Sequence, residues 1–254
     1  MKKILLLCLL FFSLNAKELI VGMELAYPPF EMSDAKGNPS GVSVDFLKEF
    51  AKENNYTLQI QNIAWDGLIP ALRSKKIDLI MSSMSVSEQR KKVLDFTIPY
   101  AKANLAILSA KKSNINSIDD LNKKGKVIAL KRGTSAHIYA QNNLSNAKIL
   151  VFDKESAAIL EVVQDKADGF IYDQMSIYKA WQKNSDQTKA IFTPFEEHPE
   201  QWAIALNKNN EKLKIELNNF IQKSKENGFF DDLAQKYLKD IQEIFKEQKL
   251  EFFF

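Results

Sequence analysis

The chain alternates short strand-like runs with amphipathic segments over most of its length. Strand-like runs occupy residues 18–23, 57–62, 77–81, 104–110, 126–130, 148–152 and 169–173. Helices are predicted between them at 42–54 and 68–76, after Ser117, after Thr134, and at 155–166. In the first helix, Val44, Leu47 and Phe50 share one face while charged side chains occupy the other. Alternation of this kind predicts parallel strands joined by covering helices.

The order of strands and helices begins anew after residue 104, which predicts two α/β lobes in one chain. With 254 residues and 45% hydrophobic content, the chain is long enough for each lobe to have its own core. The two halves show no sequence repeat, and no low-complexity linker separates them.

The first 16 residues, MKKILLLCLLFFSLNA, have the features of a secretory signal that is removed after Ala16. Their apolar run is too short to span a bilayer. Cys8 is the single cysteine, so the mature chain needs no disulfide or thiol chemistry. A lipid anchor at Cys8 is disfavoured because Leu7 precedes it where a small residue is required. These features predict a soluble protein exported to the periplasm.

Charge and motif content argue against several classes of function. Without residues 1–16 the chain has 33 basic and 32 acidic side chains, and this balance does not indicate a nucleic-acid partner. His137 and His198 are the only histidines and neither has metal ligands around it in the sequence, so no metal site is expected. No phosphate-binding glycine-rich motif is present, and no cofactor is predicted.

Polar side chains follow four of the predicted strands, where open α/β sheets bind their ligands. They include Glu24, Tyr27, Ser82, Ser83, Ser85, Lys131, Thr134, Ser135 and Asp173, with Arg90 shortly after the serines. Hydroxyl groups and a guanidinium suit an anion. The turn at Gly133 opens a helix, and free N–H groups at such a position can hold a carboxylate, although an ordinary helix cap is the simpler interpretation of that turn alone.

These segments, taken in order, resemble a known family. GMELAYPPFE, GVSVDF, WDGLIPALRSKKIDLIMSSMSVSEQR, VLDFTIPY, IALKRGTSA and ADGFIYD occur in the order found in family 3 of the bacterial extracellular solute-binding proteins, the polar amino-acid receptors of ABC importers. The resemblance covers nearly all of the mature chain. It implies a type II periplasmic-binding-protein fold, in which two lobes with mixed sheets covered by helices enclose a ligand cleft.

The resemblance also implies a role for each polar position. Arg90 matches the arginine that clamps the ligand α-carboxylate, a bidentate role that suits a guanidinium. Asp173 matches the acid that pairs with the α-ammonium group. The remaining contacts to the amino-acid head group are assigned to Ser82, Ser83, Ser85, Thr134 and Ser135. Tyr27 and Trp65 match aromatic rings that enclose the ligand side chain.

Two charged positions leave the identity of the ligand open. Glu24 matches an acid that meets the side chain of basic ligands in some relatives and of glutamine in others. Lys131 matches a lysine that contacts the side-chain oxygen in glutamine-binding relatives. If Lys131 points into the cleft, an amide satisfies both residues, whereas a basic amino acid fits better if it points to solvent. The sequence analysis favours arginine or lysine, with glutamine as the alternative.

The resemblance implies a mechanism in which hinge closure delivers the amino acid to an inner-membrane ABC permease. The first lobe is predicted to comprise residues 17–103 and to resume at 202–254, with residues 104–201 forming the second. A monomer without enzymatic activity is expected. The alternatives are a dehydratase that acts on a cyclohexadienyl acid and a ligand-binding partner of a chemoreceptor. The sequence does not decide how Phe252–Phe254 pack.

Overall fold

The computed structural model describes residues 16–254, so all but the last residue of the predicted signal segment lies outside the described residues. The first part of the chain forms strands β1 (Lys17–Met23), β2 (Ala26–Tyr27), β3 (Glu31–Ser33), β4 (Pro39–Ser40), β5 (Tyr56–Asn62), β6 (Leu79–Ile80), β7 (Asp95–Phe96) and β8 (Ala101–Ala103). Its helices are α1 (Val42–Glu53), α2 (Trp65–Arg73) and α3 (Glu88–Lys91).

The middle of the chain repeats this alternation. Its strands are β9 (Leu105–Ala110), β10 (Val127–Lys131), β11 (Lys148–Phe152), β12 (Gly169–Asp173) and β13 (Thr188–Ile191). Its helices are α4 (Ile118–Leu121), α5 (Ser135–Asn143), α6 (Glu155–Val163) and α7 (Gln174–Lys183). The last part comprises β14 (Glu200–Trp202), β15 (Ala205–Leu206), α8 (Glu211–Glu226), α9 (Phe229–Tyr237) and α10 (Lys239–Glu247).

Two five-stranded sheets define two lobes. Lobe one is built on the order β5-β1-β6-β15-β7 and lobe two on β11-β10-β12-β9-β13. Most of the predicted strands pair in parallel, as β1 does with β5 and β10 with β11, whereas β9, at the predicted run 104–110, pairs antiparallel because it enters lobe two directly from the neighbouring strand β8. The strands that follow each passage of the chain between the lobes pair antiparallel, as β15 does with β6 and β9 with β12. The predicted two-lobed α/β architecture with mixed sheets is confirmed.

The chain passes between the lobes through one antiparallel strand pair. In this pair, β8 runs beside β14 with Trp202 opposite Ala101 and Glu200 opposite Ala103. We call β8 and β14 the hinge strands. The predicted lobe boundaries, after residue 103 and after residue 201, fall at the end of β8 and inside β14.

The turn before α1 requires glycine. Gly41 has φ +119°, and a Cβ atom there would lie 2.4 Å from the carbonyl oxygen of Phe30. This close approach lets Val42, Phe46 and Phe50 bury the apolar face of α1 against the sheet of lobe one, as the sequence pattern predicts. It also fixes the backbone around Phe30, a fully buried residue next to the cleft.

The Phe252–Phe254 segment packs against the hinge strands and lobe one. The backbone N–H of Lys102 donates to the Phe253 carbonyl at 2.9 Å. The Phe253 side chain is 2% exposed, with its ring centroid 4.9 Å from that of Phe30 and 5.4 Å from that of Trp202. Within residues 16–254, no helix is long and apolar enough to cross a membrane.

Candidate ligand-binding site

A cavity lies between the lobes, where the polar strand ends meet. Ten of the eleven side chains predicted from the sequence line it: Glu24, Tyr27, Trp65, Ser82, Ser83, Ser85, Arg90, Thr134, Ser135 and Asp173. They come from the residue after β1, from β2, α2, the loop after β6, α3, the N-cap and first residue of α5, and the end of β12. The fold therefore brings together residues that are up to 149 positions apart in the sequence. Lys131, the eleventh, lies beside the cavity and reaches Glu24.

Arg90 is a buried cation at the wall of the cavity. Its side chain is held by α3, whose N-cap Ser87 accepts the backbone N–H of Arg90 at 3.2 Å. The guanidinium donates to the carbonyl oxygen of Ser85 at 2.5 Å and to that of Gly133, in lobe two, at 3.0 Å. No carboxylate among residues 16–254 lies within 4 Å of it. Burial lowers the pKa of Arg90 to about 10, so the side chain is charged at neutral pH.

Asp173 is the corresponding buried anion in lobe two. It is the N-cap of α7, where its carboxylate accepts the backbone N–H of Ser176 at 3.0 Å. Its side chain is buried, and none of the basic side chains in the described part of the chain comes within 4 Å. Burial raises the pKa of Asp173, while hydrogen bonding from Ser176 opposes that shift. One carboxylate oxygen thus serves the helix, and the group retains acceptor capacity toward the cavity.

The three serines after β6 have different hydrogen-bond partners. The Ser82 hydroxyl accepts the backbone N–H of Glu24 at 3.0 Å, which leaves its own proton available to a ligand. The Ser83 hydroxyl donates to Glu31 at 3.0 Å, and the Ser85 hydroxyl donates to Glu200 at 2.9 Å. Two of the three hydroxyls are therefore engaged with carboxylates of the protein.

The turn that precedes α5 presents its backbone to the cavity. Thr134 caps the helix by accepting the backbone N–H of His137 at 3.3 Å, and its hydroxyl donates to the Lys131 carbonyl at 2.9 Å. Gly133 has φ +69°, a conformation that favours glycine. Its N–H donates to Nδ1 of His137 at 3.0 Å, so this histidine supports the turn from outside the cavity.

Glu24 and Lys131 form an ion pair that joins the two lobes. The pair is shielded from water, with side-chain exposures of 18% for Glu24 and 6% for Lys131. The Lys131 ammonium also lies 5.7 Å from the ring centroid of Trp65, and the Arg90 guanidinium lies 5.5 Å from it. Lys131 therefore points into the cleft, which the sequence left open.

Four further residues line the cavity that sequence reasoning did not select: Leu105, Tyr172, Glu200 and Trp202. Tyr172 directly precedes Asp173, and Leu105 lies opposite Asp173 in the β12–β9 pair. Its place next to Asp173 in the sequence could have identified Tyr172, whereas Leu105 is found only from the antiparallel β12–β9 pairing. Glu200 and Trp202 reach the cavity from the hinge strand β14, and no local pattern in the sequence marks them.

Glu31 is a completely buried acid beneath the cavity. Hydroxyl groups of Ser43 and Ser83 donate to it. Ser83 has φ 49°, so this hydrogen bond helps to hold a left-handed backbone conformation at the cavity wall. Burial raises the pKa of Glu31 to about 8, with a smaller contribution from the charge of Glu24. The Tyr100 hydroxyl is buried nearby, and the charge of Glu31 adds to the upward shift of the Tyr100 pKa that burial causes.

We expect Glu31 to make the stability of the fold dependent on pH. Its pKa of about 8 exceeds the ordinary 4.5, so the folded protein holds this proton more tightly than the unfolded chain does. Its stabilising contribution is complete below pH 4.5 and is lost as the pH rises toward 8. Glu31→Gln, which is neutral throughout, should flatten the free energy of unfolding across this range. Urea denaturation at several pH values measures it.

The matched control is Glu18→Gln, at an exposed position of β1. This substitution should leave the pH dependence of the free energy of unfolding as it is in the unaltered protein. Equal pH profiles for Glu31→Gln and the unaltered protein would contradict the role assigned to Glu31.

Comparison with known proteins shows that this chain is similar to amino-acid-binding proteins. Residues 19–240 match the family described as bacterial extracellular solute-binding proteins, family 3. The L-cystine-binding protein TcyJ of Escherichia coli is 28% identical over 222 residues, which cover 86% of this chain and 82% of that protein.

Solved structures agree with the sequence comparison. A mutant of the arginine-binding protein from T. maritima has a TM-score of 0.77 and 34% identity, covering 87% of this chain and 95% of that one. The binding component of an ABC transporter from Wolinella succinogenes, complexed with lysine, has the same TM-score, identity and coverage. The match to the family model extends over most of the chain and includes every residue that lines the cavity. The chain belongs to family 3 of the bacterial extracellular solute-binding proteins.

Proposed function

We propose that this protein is a periplasmic receptor that captures a polar L-amino acid and delivers it to an ABC permease, without turnover of the ligand. One observation carries the proposal: buried Arg90 and buried Asp173, neither with an ionic partner within 4 Å among residues 16–254, line the same cavity. An uncompensated buried charge is costly, and a zwitterion supplies the missing partner to both. The α-carboxylate pairs with Arg90 and the α-ammonium with Asp173.

We expect the lobes to close around the ligand because its two charged groups are bound by different lobes. Arg90 belongs to lobe one and Asp173 to lobe two, so only the closed arrangement satisfies both ends of the ligand. The ligand therefore binds the closed state more tightly and shifts the population toward it. The permease would then recognise the closed shape.

The ion pair at the far end of the cavity supports a particular class of side chain. Because Lys131 neutralises Glu24, a basic side chain would meet an acid whose charge is already balanced and a lysine that repels it. A glutamine side chain instead donates from its NH₂ group to Glu24 and accepts from Lys131 at its carbonyl. The second head group of cystine fits equally, with its ammonium on Glu24 and its carboxylate on Lys131. The preference for arginine or lysine is revised accordingly.

Titration calorimetry on residues 17–254, freed of bound ligand by unfolding and refolding, tests both the receptor function and the proposed class of ligand side chain. We expect glutamine or cystine to bind at least about tenfold more tightly than arginine and lysine do. Lys131→Met releases Glu24 and should shift the preference toward arginine by about tenfold, equivalent to about 1.4 kcal/mol. Lys148→Met, at an exposed position of β11, is the matched control and should change nothing.

The outcomes separate the function from the ligand. Tighter binding of arginine than of glutamine and cystine to the unaltered protein would contradict the side-chain class and leave the receptor function in place. Failure of every L-amino acid to bind would contradict the function itself. Formation of a dehydrated product from a cyclohexadienyl acid would contradict binding without turnover.

A further inference from the structure

Glu200 is an acid that reaches the ligand cavity from the hinge. It lies on β14, opposite Ala103 of β8, and lines the cavity together with Arg90 and Asp173. No basic side chain in the described residues comes within 4 Å of its carboxylate. Glu200 is therefore a partly buried acid that is not half of a close ion pair in the described residues.

Hydrogen bonds connect Glu200 to the carboxylate clamp of lobe one. The Ser85 hydroxyl donates to Oε2 of Glu200 at 2.9 Å, and the Ser85 carbonyl accepts from the Arg90 guanidinium at 2.5 Å. Ser85 also bridges to Trp202 of β14. Contacts with β14 thus orient Ser85. They also orient its carbonyl oxygen, which accepts a hydrogen bond from Arg90.

Glu200 also meets lobe two. Ser135, the first residue of α5, lines the ligand cavity together with Glu200. Burial raises the pKa of Glu200, and the nearby charge of Asp173 acts in the same direction, whereas Ser135, Ser85 and Arg90 oppose the shift. Tyr172 and Glu196 are the other titratable groups whose pKa values respond to Glu200.

Given the proposed receptor function, we propose that Glu200 is a positioning residue that couples the carboxylate clamp to lobe closure. Its carboxylate holds Ser85 in lobe one at all times and meets the start of α5 in lobe two when the cleft closes. At this position it attracts Arg90 without occupying the guanidinium donors that the ligand α-carboxylate requires. The consequence is a contribution to affinity that is independent of the ligand side chain.

Two substitutions test this role by calorimetry and by small-angle X-ray scattering with and without ligand. Glu200→Ala should weaken every bound amino acid by about tenfold to a hundredfold without altering their rank, and should reduce ligand-induced compaction. Glu200→Gln keeps one acceptor oxygen, so it should weaken ligand binding less than Glu200→Ala does. The matched control is Glu197→Gln, at an exposed position of the segment that precedes β14. This variant should bind amino acids as the unaltered protein does.

Two further measurements distinguish positioning from general support of the fold. Ser85→Ala combined with Glu200→Ala should be no weaker than the worse single variant by more than about twofold, because both remove one coupled contact. Affinity should fall on acidification as Glu200 gains a proton, and Glu200→Gln should reduce that slope. Protonation of Asp173 should account for the pH dependence of affinity that remains in Glu200→Gln.

The inference and the proposed function fail in different ways. Equal affinity and equal pH slope for the unaltered protein, Glu200→Ala and Glu200→Gln would overturn the role of Glu200 while the receptor function stands. Additive losses from the Ser85 and Glu200 substitutions would overturn the coupling through Ser85. Absence of amino-acid binding by the unaltered protein would instead refute the proposed function.

Discussion

Replacing Arg90 with alanine is expected to weaken amino-acid binding by roughly thirtyfold to several thousandfold. Truncating one partner of a buried, hydrogen-bonded charge pair typically costs about 2–5 kcal/mol, because the other charge is left in a dry site without its counterion. Here the group left unpaired is the ligand α-carboxylate. Arg90→Lys keeps a positive charge and loses the two parallel donors, so we expect an intermediate loss. Calorimetric titration measures both variants.

The matched control is Arg132→Ala, at the residue that directly follows Lys131 and the end of β10. Arg132 is exposed and pairs with exposed Asp153, a type of contact that contributes about 0–1 kcal/mol. Its removal should leave affinity unchanged. The thermal midpoint of ligand-free Arg90→Ala should stay close to that of the unaltered protein, since Arg90 is a buried charge with no ionic partner within 4 Å in the part of the chain that the structure describes. Unchanged affinity in Arg90→Ala would contradict the assigned clamp.

Replacing Phe30 with alanine is expected to lower the free energy of unfolding by about 3–5 kcal/mol, the range for removing a buried phenylalanine from a core. Phe30 is 0% exposed, and its ring centroid lies 5.9 Å from that of Tyr27 and 5.2 Å from that of Trp202. The loss should be accompanied by weaker ligand binding, because both neighbouring rings line the cavity. Urea denaturation gives the first quantity and calorimetry the second.

The control for Phe30 is Phe192→Ala in lobe two, where the side chain is only partly buried against its core. It should lower the free energy of unfolding by less than Phe30→Ala and leave the ligand affinity unchanged. A loss below about 1 kcal/mol at Phe30 would mean that the aromatic cluster relaxes around the cavity more completely than its packing suggests.

The sequence predicts those features that depend on local pattern. The strand at 169–173 has the predicted bounds, and the helix capped by Thr134 begins where its capping residue indicates. The cluster of polar side chains at strand ends follows from the parallel pairing of those strands. The family resemblance adds the role of each position, which local pattern alone does not supply.

The features that the sequence does not predict depend on pairing between distant segments. Glu200 reaches the cavity because β14 lies beside β8, almost 100 residues earlier, and Glu31 is buried because the Ser83 turn folds over it. The direction of Lys131 depends on how closely lobe two approaches Glu24. None of these contacts leaves a periodicity or a capping signal in the chain.

The positions of the indole rings give the protein an internal optical signal. The chain has three tryptophans, and two of them, Trp65 and Trp202, line the cavity, whereas Trp181 is partly buried against the core of lobe two. Trp65 lies beside two cations, and the proposed closure around a ligand would change both its charged surroundings and its contact with water. Intrinsic fluorescence can therefore follow closure in real time without a dye, and Trp181 supplies a constant background.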